Sequence, residues 1–249
     1  MCRERVWGKS NGHSRGTRGL TWALGGTPSP QLVLESIRNN GRQLLTLQSI
    51  WLVHPSAEMC RAFDSQFAGL PNARTVKATF EELEPHDCFV TAGNAFGIMT
   101  AGIDAAVVGF FGPQLMQQIQ LRIMDQYLGE QPVGTAFIHS TGNPTIPFLA
   151  HAPTMRVPGS IEGTDKVYCA TWAALVAAHN HNVVCDHKIE ILAFPAMGTG
   201  FGGVPFDEAA RQMAAAYRHY LNPPHRLDWD FVIERQKAIT YNGNRQVVK

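Results

Sequence analysis

Two side chains in this sequence, Asn94 and Asp104, are placed where they could act on a bound ligand. Asn94 lies in a run of small residues, Thr91-Ala92-Gly93-Asn94-Ala95-Phe96-Gly97, directly after the apolar stretch Cys88-Phe89-Val90. That stretch has the length of a buried strand. Asp104 closes Gly102-Ile103-Asp104, and Ala105-Ala106-Val107-Val108 continues it as a helix start. An amide can hydrogen-bond a ligand as donor and acceptor, and a carboxylate can accept hydrogen bonds or a proton. Small residues let backbone N–H groups approach a ligand, and a helix N-terminus favours negative charge. An Asp in the first helical turn also suits the helix dipole with no catalytic role. Both readings of Asp104 stay open on the residues alone.

A second glycine-rich stretch, Met197-Gly198-Thr199-Gly200-Phe201-Gly202-Gly203-Val204, follows the apolar run Ile189 to Phe194. It leads into a helix with Asp207 and Glu208 in its first turn. Gly198, Gly200 and Gly203 spell GxGxxG, but a dinucleotide fingerprint belongs to a first βαβ unit with an acid about 20 residues further on. Too little chain remains here for such a half-domain. Adjacent glycine N–H groups before a helix still form a nest for phosphate oxygens, the alternative being a plain glycine turn. The two loops together suggest a cleft for a small phosphorylated ligand at the C-terminal ends of the strands.

The elements that would hold these loops alternate along the chain. Strands are expected at Ser49 to Val53, Arg74 to Phe80, Cys88 to Val90, Thr135 to His139, Pro147 to His151, Ile189 to Phe194 and Asp230 to Glu234. Helices are expected at Ala57 to Phe67, at Gly102 to Phe111 up to the Gly112-Pro113 break, and at Phe206 to Tyr220. Leu115, Ile119, Ile123 and Tyr127 mark the face of another helix at spacing four. Tyr168, Trp172, Leu175 and Val176 line one that Thr164 could cap. Alternation of this kind predicts an α/β fold with a mixed, largely parallel sheet and helices on both faces.

The chain has 249 residues, 45% apolar and 16% charged, enough to bury a full core. A net charge of +1 gives no whole-protein argument for nucleic acid or a membrane surface. Five scattered cysteines without a CxxC fit a reducing compartment. No apolar run reaches the ~20 residues of a membrane span, and the N-terminus shows no secretory core, so a cytoplasmic protein is expected. Residues 1–30 are basic and glycine-rich with no apolar periodicity, and read as a disordered tail before a single domain over 31–249.

Three further groups carry weaker signals. His179, His181, Cys185 and His187 cluster near a helix end, but their spacing matches no established zinc site, and no metal or cofactor is expected. Cys88 reads as core. Arg156, in a segment bounded by Pro153 and Pro158, could approach a diphosphate or serve as a structural loop residue.

With these motifs in place, the region from about 47 to 235 resembles a macro domain, the ADP-ribose-binding three-layer α/β/α module, and is similar to bacterial and phage-associated Appr-1-p-processing proteins. Macrodomain hydrolases of one class carry Asn, six residues, then Gly-Gly, an aliphatic residue and Asp; here Asn94 is followed after six residues by Ala101-Gly102-Ile103-Asp104. Their second loop matches Gly200-Phe201-Gly202-Gly203, with Gly202 at the position of an aromatic. Thr79-Phe80 stands where the family carries an adenine-binding Asp. The resemblance implies that Asn94 holds the distal ribose and that Ala92, Gly93 and Ala101 to Ile103 lie against ribose and diphosphate. Gly198, Thr199, Gly200, Phe201, Gly202 and Gly203 would bind the diphosphate, and Asp104 would position or activate water to cleave an ADP-ribosyl ester or acetal. The partner implied is ADP-ribose or an ADP-ribosylated substrate, with no metal. A non-catalytic reader of ADP-ribose, or a structural protein with weak ligand binding, is the alternative.

Removing residues 1–30 is expected to change the melting temperature by less than about 3 °C, because that segment has no apolar face to contribute to a core. A larger drop in a calorimetric scan would show a packed tail.

Overall fold

The central strands follow directly from short apolar runs. In the computed structural model, which describes residues 47–239, these runs become β1 (Ser49–Val53), β2 (Ala73–Val76), β3 (Cys88–Thr91), β4 (Phe137–Ser140), β5 (Phe148–His151) and β6 (Ile191–Pro195). They form one sheet in the order β2-β1-β6-β3-β5-β4. Every neighbouring pair is parallel except β4 with β5, which is antiparallel. β3 and β6 are buried throughout or nearly so, as expected of parallel strands covered on both sides.

Alternate residues of each strand feed two cores. Ile50, Leu52, Cys88, Val90, Leu192 and Phe194 face one way. There they meet α1 (Ala57–Gln66), α4 (Lys166–Val184) and α5 (Phe206–Leu221). Trp51, Val53, Phe89, Leu149 and Ala193 face the other way, onto α2 (Gly102–Phe111) and α3 (Gln114–Tyr127). The result is the three-layer α/β/α arrangement with a mixed, largely parallel sheet. Leu115, Ile119 and Ile123 are the buried stripe of α3, as their spacing predicts. Gly112, at φ 93, ends α2 in a backbone region that a side chain would strain. Among the described residues no helix is long and apolar enough to cross a membrane.

Three expected elements differ. The strand expected from Arg74 to Phe80 stops at Val76, and Phe80–Glu82 form a short 3-10 turn instead. Its Phe80 ring turns inward against Phe89, 4.7 Å away, while the Glu82 carboxylate accepts a hydrogen bond from the Thr79 N–H at 2.8 Å. The strand expected at Asp230 to Glu234 is a helix, α6 (Trp229–Ile239). Asp228 starts it by accepting a hydrogen bond from the Phe231 N–H at 2.9 Å, and Arg235 anchors it on the Trp172 ring of α4. Thr164 is not the N-cap of α4, which is Asp165, although the Thr164 hydroxyl accepts from the Lys166 N–H at 3.4 Å. The expected tail over 1–30 and both ends of the expected 31–249 domain lie outside the described residues.

Candidate functional site

Parallel strands end together, so the loops that follow them share one edge of the sheet, where ligands of open α/β folds collect. The loops after β3 and β6 meet there across a cleft of about 750 Å³. Ala92, Gly93 and Asn94 line it from β3, Ala101 to Asp104 from the start of α2, and Gly198 to Gly202 from β6. Gly203 stands off the cleft lining and turns the chain back, its N–H donating to the Gly200 carbonyl at 3.0 Å.

Asn94 is largely committed to shaping its own loop. Its Oδ1 accepts from the N–H groups of Phe96 (3.1 Å) and Ile98 (3.3 Å), and its Nδ2 donates to the Ile98 carbonyl (2.8 Å). A second Nδ2 hydrogen remains for a ligand. The Gly93 carbonyl accepts from the Thr154 N–H, and the Ala95 N–H donates to the Met155 carbonyl, so the segment after β5 clamps this loop. At the other wall, Ala101 precedes α2 without a side-chain cap, which leaves the first N–H groups of the helix unclaimed by any capping side chain.

Asp104 projects back from that first turn beneath Gly93. It is 6% exposed, and its Oδ1 has no hydrogen-bond partner. Burial pushes its carboxyl up to about 7, since the charged form loses its water. A β-carbon on Gly93 would stand 2.7 Å from Asp104 Oδ2 and 3.2 Å from His151 Nε2. A side chain at 93 would have to displace the Asp104 carboxyl. His151 is fully buried at the end of β5, and burial holds its ring down at about 4, so it is neutral at physiological pH.

The second loop is tightly specified. A β-carbon on Gly202 would lie 2.3 Å from the Gly198 carbonyl oxygen and 2.9 Å from Ile161. An aromatic at 202 is therefore excluded by the backbone itself. Phe201, 63% exposed, borders the cleft instead. Gly200 has open space around its β-position.

The sequence pattern of the macro domain matches residues 90–213, and an uncharacterized protein of Aquifex aeolicus is 32% identical over 147 residues, 59% of this chain and 81% of that protein. The chain belongs to the macro domain family. A macro domain-containing protein of Caldanaerobacter subterraneus is 28% identical over 147 residues, 59% of this chain and 80% of its own length. Among solved structures, an Oceanobacillus iheyensis macrodomain variant with ADPR has a TM-score of 0.48 at 22% identity, over 56% of this chain and 73% of that one. A Trypanosoma brucei macrodomain in complex with ADP-ribose has a TM-score of 0.44 at 17% identity, over 72% and 60%.

Within this macro domain, none of the other side chains singled out by sequence lines the cleft. Arg156 sits between the cleft-lining Met155 and Val157, its guanidinium over the Phe96 ring and paired with both carboxylate oxygens of Glu130 at 2.6 and 3.0 Å. His181 and His187 pack on Phe148 and bond to each other through the His187 carbonyl, and no group of three metal-binding side chains gathers among the described residues. Cys88 is wholly buried in the core, its thiol pushed well up by burial. Two residues near Asp104, His151 and its partner Gln131, escaped the sequence reading. The available signal was a histidine ending an apolar strand, where parallel neighbours bury it.

The burial of Asp104 has a pH signature. The unfolded carboxyl ionises near 3.8 and the folded one near 7, so stability is lost as pH rises between those values and the full cost persists above them. Asp104→Asn is expected to match the parent near pH 4 and to exceed it above pH 7, by up to about 4 kcal/mol in urea unfolding. Equal stability at the higher pH would show that the carboxylate is not desolvated.

Proposed function

We propose that this macro domain binds ADP-ribose in the cleft between the two loops and that Asp104 acts on water to hydrolyse an ADP-ribosyl ester or acetal. The observation that carries the reading is the convergence, in one cleft, of a buried carboxyl, an uncapped helix start and a glycine loop. The backbone of Gly198 to Gly202 suits a diphosphate, which multiple N–H groups can hold without a metal. The free hydrogen on Asn94 Nδ2 suits a hydroxyl of the distal ribose. Asp104, ionised, accepts a proton from water as the water attacks, so turnover rises with pH through about 7 and levels above it.

A second reading is a reader that binds ADP-ribose without turnover. The nearly complete burial of Asp104 favours it, because so little of the carboxyl is open to an attacking water.

Calorimetry with ADP-ribose tests the site. Gly200→Glu should abolish binding through bulk and charge while the fold survives, since the β-position at 200 is open. Unchanged affinity would remove the cleft from consideration.

Turnover of a mono-ADP-ribosylated substrate separates the two readings. Asp104→Ala should lose about 10²–10⁴-fold in rate and keep ADP-ribose affinity within roughly tenfold. Undiminished hydrolysis in that variant would sink the mechanism. A parent protein that binds ADP-ribose but hydrolyses neither linkage would be a reader.

A further inference from the structure

His151 takes no part in the reading above, yet its position is as constrained as that of Asp104. The constraint starts at Gln131, which is fully buried. Gln131 Nε2 donates to two backbone carbonyls, those of Thr135 and His151, both at 3.2 Å. Two carbonyl acceptors fix which end of the amide is nitrogen. The oxygen end, Oε1, then faces His151 Nδ1 at 2.6 Å and can only accept. Nδ1 must therefore carry the ring proton. In a neutral imidazole this leaves a lone pair on Nε2. That Nε2 is buried, has no partner, and borders the same face of Gly93 as the Asp104 carboxyl.

A lone pair beside an ionised carboxylate is repulsive, and both atoms pay for burial without a partner. A proton on Asp104 removes both problems. We propose that His151 is the proton partner of Asp104: the Asp104 carboxyl holds its proton toward the His151 Nε2 lone pair through one water, with Gln131 fixing the tautomer. The ring of His151 stacks on Phe137 at 5.5 Å, and the other titratable residues that line the cleft are His54 and Glu81. Burial alone accounts for the shifts of both members. Gln131 also donates its backbone N–H to the Ala95 carbonyl at 2.8 Å, so the residue that sets the tautomer also anchors the Asn94 loop.

His151 and Gln131 are thus positioning residues that set the charge of Asp104. Their catalytic meaning rests on the proposed hydrolysis, but the placement of the proton does not. Burial is what raises the Asp104 carboxyl to about 7, and the bare Nε2 lone pair is the acceptor toward which its proton is held.

The test uses the ligand-free full-length protein, so that a failure to bind ADP-ribose leaves the result intact. Nitrogen NMR of the His151 ring should show a proton on Nδ1 and a bare Nε2 from roughly pH 5 to 9, while the Asp104 carboxyl carbon titrates near neutral pH. Gln131→Glu places a carboxylate against Nδ1–H and stabilises the imidazolium. His151 should then gain a proton on Nε2, and the Asp104 midpoint should fall by at least one pH unit, a tenfold change in its proton affinity. If the protein proves to be a hydrolase, its pH–rate profile should move to lower pH by the same amount. A proton on Nε2 of neutral His151 in the parent protein would overturn the proposal, and that measurement needs no variant. So would an unmoved Asp104 midpoint in folded Gln131→Glu.

Discussion

The site is organised around the absence of one carbon atom. A β-carbon at Gly93 would come within 2.7 Å of Asp104 Oδ2 and 3.2 Å of His151 Nε2, closer than real packing allows on the first contact. Glycine there lets β3, the start of α2 and the end of β5 close on each other. That closeness buries the carboxyl and the imidazole together and leaves Asn94 at the lip of the cleft. The clamp from the segment after β5, through the Thr154 N–H and the Met155 carbonyl, holds the loop in that position.

Electrostatics follow from the same closeness. Burial penalises the charged form of each group, so the carboxyl rises to about 7 and the ring falls to about 4. Their effects on stability oppose each other. Between roughly pH 4 and 6.5 the unfolded His151 takes up a proton that the folded ring refuses, so its contribution grows with pH there while that of Asp104 declines. Above that window only the carboxyl's cost remains. A carboxyl so perturbed by burial at the edge of a cleft is a candidate functional position on physical grounds, beyond what its residue type suggests.

The glycine loop after β6 obeys a different constraint. Gly198, at φ +74, would drive a β-carbon into Val167, and Gly202 would drive one into the Gly198 carbonyl. Ile161 completes the packing and donates its N–H to the Gly202 carbonyl at 2.8 Å. The loop is therefore fixed from behind by α4 and the residues before it, while its open side, at Gly200, faces free space. The backbone can be rigid and still approachable.

Local pattern alone was enough for β1 and β3, which are continuous apolar runs of strand length, for α2, which Gly112 stops, and for α3, whose apolar residues recur at spacing four. It was also enough to put Asn94, Asp104 and the 198–202 loop at strand ends that a parallel sheet must bring together. It failed at α6, where Phe231-Val232-Ile233 is too short a run to tell a strand from a helix, and docking of Arg235 on α4 decides. It could not show that Asn94 is bonded within its own loop or that Arg156 is tied to Glu130. Nor could it find Gln131 and His151, which lie 20 residues apart in the chain and meet where the Ala95 carbonyl after β3 holds the Gln131 N–H beside the end of β5. Sequence determined which residues could do chemistry and which edge of the sheet would carry them. Tertiary packing alone decided their protonation, because charge in a protein depends on what water has been excluded and which neighbours have taken its place.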